Sequence, residues 1–187
     1  MDLPFETKGL RIYPLPYIDF KLGPQHIFFV QDQMAKIQAE HPEYPEFKVK
    51  SAGERMLVSM AFADIYGMED QFVRKPPDYF LFQKDYDYNY GTNKISLGVG
   101  RVNEKLDETG PSVPFRVSSR VIKADKSDWF VMAAIQMPHI QLVGWTVKED
   151  LMPFLKGYSA QIFAGYNKLR CMSELPIEKR RKKGLFV

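Results

Sequence analysis

The chain is poor in the features that mark membrane, secreted and disulfide-linked proteins. Its 187 residues contain no run of eighteen or more apolar residues, so we expect no transmembrane helix. The first residues, 1–6, lack the basic-then-apolar pattern of a secretion signal. The single cysteine, Cys171, excludes an internal disulfide and favours a reducing, intracellular environment.

The net charge of +3 is unevenly distributed along the chain. Five of the 26 basic residues lie in one run, Lys179-Arg180-Arg181-Lys182-Lys183, and without them 21 basic residues face 23 acidic ones, a balance of −2. The body is therefore not a uniformly basic nucleic-acid binder. We expect phosphate affinity to be concentrated in this run or in a local groove.

The length favours one domain with a hydrophobic core. We expect an N-terminal arm over 1–23, rich in proline and aromatic residues, a single α/β domain over 24–176 and a basic tail over 177–187. The basic run in the tail is compatible with contact to phosphate or to an acidic protein surface, with a nuclear-type address, and with a solubilising role. The apolar end of the chain, 184–187, favours docking on this body or on a partner.

Helical periodicity and breakers predict two helices near the start of the domain. Apolar residues recur at helical spacing over 24–39, with Pro24 in the first turn. A second helix is predicted over 52–66, because Ser51 and Glu54 have capping-box spacing and Gly67 is a natural terminator.

Apolar runs between turn signals predict strands over the middle of the chain. We expect strands at 79–90, 95–99, 113–121, 129–135 and 141–145, and a short helix opened by Thr146 and limited by Pro153. The run 113–131 reads as a strand, a charged turn and a second strand that form a hairpin. Trp129, Phe130 and Trp145 are expected in the core, because each lies in an apolar strand.

Three local features carry a resemblance to a known family. They are Glu54 on a helical face, the run Lys84 to Gly91 with its aspartates, and the segments 120–131 and 143–151, which contain Asp-Trp-Phe and Gly-Trp. In that order they resemble the PD-(D/E)XK nuclease superfamily, in particular its phage-encoded members. The resemblance implies a mixed central β-sheet flanked by helices, the restriction-endonuclease-like core.

The resemblance also implies a metal site, because these nucleases use carboxylates to hold a divalent ion against the scissile phosphate. Asp87 or Asp85 would supply the first carboxylate. The family then has an acidic residue, any residue and a lysine, where this chain has Arg116 and Ser118 around Val117. A cation replaces a metal ligand and a neutral hydroxyl replaces the lysine, so the resemblance implies that hydrolysis is lost.

Two alternatives to this alignment stay open. The triplet can be read instead at Ser96-Leu97-Gly98 on the preceding strand, where it is also degenerate. A migrated site can be built from Glu54, Asp87 and Lys123, which would require Mg²⁺. Against both stands a plainer interpretation, in which Glu54 is a capping residue and the two aspartates lie on a solvated strand face.

We therefore expect a nuclease-derived, phage-type protein without activity or cofactor, which binds nucleic acid or another phage protein in an infected cell or a virion. The basic residues Lys179, Arg180, Arg181, Lys182 and Lys183 are its candidate contacts. The alternatives are an active magnesium-dependent DNA nuclease with a migrated site, and a structural virion or assembly component that has no nucleic-acid role.

Overall fold

The computed structural model describes residues 6–7, 10–11, 17–82, 86–101, 115–117, 122–123, 126–154, 162–164 and 169–178. Its helices are α1 (Pro24–Glu40), α2 (Glu46–Tyr66), α3 (Glu69–Val73) and α4 (Lys148–Leu151), with 3₁₀ turns at Pro77–Phe80, Met152–Phe154 and Met172–Glu174. Its strands are β1 (Glu6–Thr7), β2 (Leu10–Arg11), β3 (Ile18–Lys21), β4 (Tyr88–Tyr90), β5 (Asn93–Arg101), β6 (Phe115–Val117), β7 (Trp129–Gln136), β8 (His139–Val147) and β9 (Ile162–Ala164). The described chain is an α/β protein in which the long helices precede a mixed sheet curled into a half-barrel.

The two long helices occur where they were predicted, with one correction. The first helix, α1, matches the predicted span, and His26 Nδ1 accepts the backbone N–H of Gly23 at 2.8 Å, which satisfies a donor at the helix start. The second helix, α2, begins at Glu46 and not at residue 52, so the predicted Ser51–Glu54 capping box is wrong. Residues 46–50 continue the helix backwards until Pro45, whose extended backbone stops it. Gly67 ends α2 in the left-handed conformation, as predicted.

The predicted strand over 79–90 is wrong for most of its length. Pro76 and Pro77 direct the chain into a 3₁₀ turn over Pro77–Phe80, and in the described residues of this stretch the strand is confined to Tyr88–Tyr90. The predicted turn after it is confirmed: Gly91 has a φ of 60° and joins β4 to β5 in an antiparallel hairpin. The aromatic residues of this segment favour a strand, but the two prolines before it restrict the backbone to a turn.

The strand order corrects the predicted hairpin over 113–131. The main sheet runs β3-β8-β7-β5-β6-β9, with β4 also paired to β5, so β5 lies between β6 and β7. Strand β7 pairs in parallel with β5, from Ile95 opposite Trp129 to Arg101 opposite Ile135. A parallel pair needs a long crossover, and the chain between residues 101 and 129 supplies it. A tight turn between β6 and β7 is therefore not formed.

The antiparallel half of the sheet brings distant segments together. Strands β7 and β8 form a hairpin, and β3 adds to the far edge of β8 with Ile18 opposite Leu142. The end of the predicted N-terminal arm is thus a strand of the body. The short helix α4 follows β8 as expected, although its cap is Val147 and not Thr146.

The core lies between α2 and the sheet. Twelve residues of α2 are buried, because the helix packs on the face of β5 and β8. Tyr88 is fully buried, and its hydroxyl bonds both the hydroxyl and the carbonyl of Ser59, at 2.6 and 2.7 Å. Phe130 and Trp145 are buried and Trp129 packs against the core, as predicted. None of the helices in the described ranges is long and apolar enough to cross a bilayer.

Candidate functional site

The structure describes some of the predicted site residues and leaves others outside its range. Asp87 lies directly before β4, and Glu54 is a half-buried residue of α2. Lys123 is exposed, and the backbone of Arg116 lies in β6, opposite Val99. Asp85, Ser118, Lys179, Arg180, Arg181, Lys182 and Lys183 lie outside the described residues. Their proposed roles therefore stay predictions.

The Asp87 carboxylate is turned inward against β5. Its Oδ2 accepts the backbone N–H of Leu97 at 2.7 Å, and its own N–H donates to the carbonyl of Ile95 at 2.7 Å. The Tyr79 hydroxyl donates to the carbonyl of Tyr86 at 2.5 Å and lies 3.5 Å from Asp87 Oδ1. A hydroxyl has one proton, so the short bond takes it and the longer contact is weak. One carboxylate oxygen is therefore fixed and the other is weakly held.

Two cations, Arg55 and Lys75, surround this carboxylate. Burial raises the pKa of Asp87, while the Leu97 amide and the positive charges of Lys75 and Arg55 act in the opposite direction. Burial likewise lowers the pKa of the Arg55 guanidinium, and the Asp87 charge opposes that shift. Within the described ranges neither cation comes within ion-pair distance of the Asp87 carboxylate. The three charges thus influence one another although, among the described residues, neither cation forms a direct ion pair with the carboxylate.

Arg55 is held in place by its helix and one hydrogen bond. Its position in α2 is one turn before Ser59, on the stripe of the helix that faces β4. Its Nη1 donates to the carbonyl of Phe80 at 3.0 Å. That bond uses one of the five N–H donors of the guanidinium and fixes its plane.

Lys75 is enclosed by aromatic rings. Its Nζ lies 3.6 Å from the centre of the Tyr88 ring and 5.6 Å from that of Tyr79. The ammonium group is buried, and no acceptor among the described residues takes a hydrogen bond from it. Burial lowers the pKa of Lys75 to about 8, against the attraction of Asp87. The ring contacts stabilise the cation but leave its three N–H donors unused.

A small cleft is bounded by both Arg55 and Asp87, whereas Lys75 does not line it. It is lined by Arg55, Tyr79, Phe80, Asp87, Leu97 and Val99. Counted with the solvent at its mouth, its volume is about 270 Å³, which is below the range of pockets that enclose a drug-sized ligand. The cleft suits a small group, and the strand face that it exposes carries the apolar side chains of Leu97 and Val99.

Among the described residues, the cleft contains few side chains that could coordinate a metal ion. Within the described ranges no three histidine, cysteine, aspartate or glutamate side chains are grouped closely enough to hold one. Glu54 is next to Arg55 in sequence but does not line the cleft, and neither does Lys123. Two cations close to a single carboxylate also repel a divalent ion.

Comparison of the chain with protein-family models, curated proteins and solved structures finds no match.

Sequence reasoning identified Asp87 and missed both cations. Arg55 has a detectable signal, since it is a charged residue in the middle of a helix and is followed three and seven residues later by the apolar Val58 and Phe62. Lys75 has none, because it lies between a turn and two prolines in a stretch that reads as a polar loop. Its burial depends on Tyr79 of the adjoining 3₁₀ turn and on Tyr88, which approaches it from β4.

Proposed function

We propose that this protein is a nuclease-derived, phage-type binding protein that has lost metal-dependent hydrolysis and acts on nucleic acid by binding it. One observation supports the proposed loss of hydrolysis. In a PD-(D/E)XK site the acidic residue and the lysine of the triplet act with the aspartate, so they must share its strand face and cleft. Here the residues of β5 that share the cleft with Asp87 are Leu97 and Val99. Neither can hold a metal or orient water.

The position of Asp87 beside β5 changes which three residues align with the family's acidic-x-lysine triplet. Strand β6, with Arg116, is one strand farther from Asp87 than β5 is, because Leu97 of β5 bonds the carboxylate directly. Ser96 is buried, with its hydroxyl 2.6 Å from that of Ser127, and alternation turns it away from the face of Leu97. The degenerate triplet that fits the geometry is therefore Leu97-Gly98-Val99.

The order of the elements supports a restriction-endonuclease-like core as the finer description of the fold. Helix α2 carries Glu54, the β4–β5 hairpin carries Asp87 at its start, and β7 and β8 lead into α4. The sheet is mixed, with β5 and β7 parallel and the other pairs antiparallel. A helix, then antiparallel strands and a strand that leads into a helix agree with what the resemblance implied, whereas the hairpin expected over 113–131 is not formed.

The anchoring of the tail supports binding as the remaining activity. Leu175 and Ile177 are buried, and the backbone N–H of Glu178 donates to the Tyr90 hydroxyl at 3.4 Å. The chain is thus fixed beside β4 immediately before the basic run 179–183. The rest of the chain has a net charge of −2, so these five positive charges are the concentrated basic feature of the sequence. They offer a local site for phosphates next to an anchored part of the chain.

The first experiment tests for cleavage. Supercoiled plasmid is incubated with the protein and Mg²⁺ or Mn²⁺, and the Asp87→Asn variant is run beside it. We expect no metal-dependent nicking by either protein. Cleavage by the wild type that Asp87→Asn abolishes would establish an active nuclease with a migrated site and would end the proposal.

The second experiment tests binding. Affinity for a labelled DNA duplex is measured between 50 and 200 mM salt, and we expect a steep salt dependence that weakens when all five residues of 179–183 are changed to Gln. The matched control removes five exposed positive charges elsewhere, at Lys21, Lys36, Lys50, Arg74 and Lys126. If the two variants lose equal affinity, the tail has no specific role. If the wild type does not bind DNA, the proposed function is refuted.

A further inference from the structure

The charged cleft has more hydrogen-bond donors than acceptors. Arg55 uses one N–H for the Phe80 carbonyl, and the buried Lys75 ammonium donates to no acceptor among the described residues. Of these two cations only Arg55 lines the cleft, and the acceptor that shares the cleft with it is the weakly held Oδ1 of Asp87. Buried donors in native proteins almost always have a partner, so this arrangement calls for a group rich in acceptors.

The geometry limits the size and charge of that group. The cleft is too small for a drug-sized molecule. Arg55 lines it, and the Lys75 ammonium, which does not, lies 5.6 Å from the centre of the ring of Tyr79, a lining residue. With all three groups ionised, the cluster carries one net positive charge. A guanidinium with unused N–H groups matches a phosphate, whose oxygens accept several charge-assisted hydrogen bonds from it.

We infer that this cleft binds one phosphate group through Arg55, with Lys75 supplying additional positive charge in place of a divalent ion. The assignment of that phosphate to a nucleic acid rests on the proposed function. Asp87 does not bind the anion: its carboxylate bonds the Leu97 N–H, and its charge offsets part of the repulsion between the two cations. The basic run 179–183 and this cleft then make two separate contacts to phosphates.

Asp87 is the obvious objection, because a carboxylate repels phosphate. Its Oδ2 is held against β5 by Leu97, and burial raises its pKa, so the structure reduces the cost of protonating it when an anion enters. Two cations also oppose one carboxylate, and both are partly removed from water, where their attraction is stronger than at an open surface. The balance favours an anion.

The test compares Arg55→Gln with Lys50→Gln in the full-length protein. Both variants remove one positive charge from α2, but Lys50 is exposed and lines no part of the cleft. Affinity for a labelled single-stranded and a labelled duplex DNA is measured against salt. We expect Arg55→Gln to weaken binding about tenfold or more and to lower the salt slope by about one, with less than about a twofold change for Lys50→Gln.

A second measurement needs no variant. Inorganic phosphate is titrated into the ¹⁵N-labelled wild type while the Leu97 amide and the Arg55 Nε–H resonances are followed. We expect both to shift in a saturable way, because Leu97 bonds Asp87 and Arg55 contacts the anion. This titration decides the matter if Arg55→Gln fails to fold.

The outcomes separate the site from the proposed function. If DNA binds equally well to Arg55→Gln and phosphate moves neither resonance, the site is refuted while DNA binding stands. If DNA does not bind but phosphate moves both resonances, the site takes free phosphate and the proposed function falls. If there is neither DNA binding nor a shift, both are overturned.

Discussion

Lys75 should make the protein more stable in mildly alkaline solution. At pH 7 its side chain is protonated in both states, since its pKa is about 8 in the native protein and 10.5 by the ordinary value. As the pH rises through 8, the native state releases this proton because burial disfavours the charge. The unfolded chain keeps the proton until about its ordinary pKa, so it binds more protons and the free energy of unfolding rises.

The size of the effect follows from the pKa difference. Above the native pKa the free energy of unfolding rises by about 1.4 kcal/mol per pH unit, which gives about 2 kcal/mol between pH 8 and 9.5. The window ends there because burial raises the pKa values of Tyr66 and Tyr88. Unfolded tyrosines ionise near pH 10, which favours the unfolded state.

The assay is urea unfolding at half-unit steps from pH 7 to 9.5, for the wild type, Lys75→Met and Lys50→Met. Lys75→Met removes the titrating group and should lose the rise of about 2 kcal/mol, while Lys50→Met, which alters an exposed residue, should keep it. Each variant is compared with itself across pH, so a uniform effect of the substitution on packing cancels. A wild-type stability that is flat over this range, or an equal rise in Lys75→Met, would show that the Lys75 charge is not buried.

Four further substitutions test buried hydroxyl groups and close backbone packing in the domain. Tyr88→Phe should lower the free energy of unfolding by about 1–3 kcal/mol, because it removes the hydroxyl that bonds Ser59. Tyr66→Phe, its matched counterpart, should raise it by about 1 kcal/mol, because the Tyr66 hydroxyl is buried with no hydrogen-bond partner in the described structure; a loss of stability would reveal a partner. Gly144→Ala should cost about 1–3 kcal/mol, because its Cβ would lie 2.8 Å from a backbone oxygen, whereas Gly91→Ala should cost about 1 kcal/mol for its φ of 60° alone. Urea unfolding checks all four variants, and a Gly144→Ala protein as stable as the wild type would contradict the tight backbone approach.

Local signals in the sequence predicted most of the elements and one member of the site. The apolar spacing of α1, the terminator Gly67 and the turn at Gly91 all act within a few residues, so they can be read from the chain. The start of α2 was misplaced, because the capping-box pattern at Ser51 is equally compatible with the interior of a longer helix. Asp87 was identified from the resemblance to a nuclease family. The two cations near it, Arg55 and Lys75, were not identified.

The order of residues along the chain is enough to show where the chain turns, which segments are apolar enough to be buried, and that five of its 26 basic residues form one run, 179–183. Tertiary structure decided which segments are neighbours. Strand β5 lies between β6 and β7, and Leu97 and Val99 of β5 line the cleft with Asp87, whereas the backbone of Arg116 lies one strand farther away in β6. Arg55 and Lys75 meet Asp87 for the same reason: strand pairing and helix docking depend on contacts between residues far apart in the sequence, and burial changes what their charges can do.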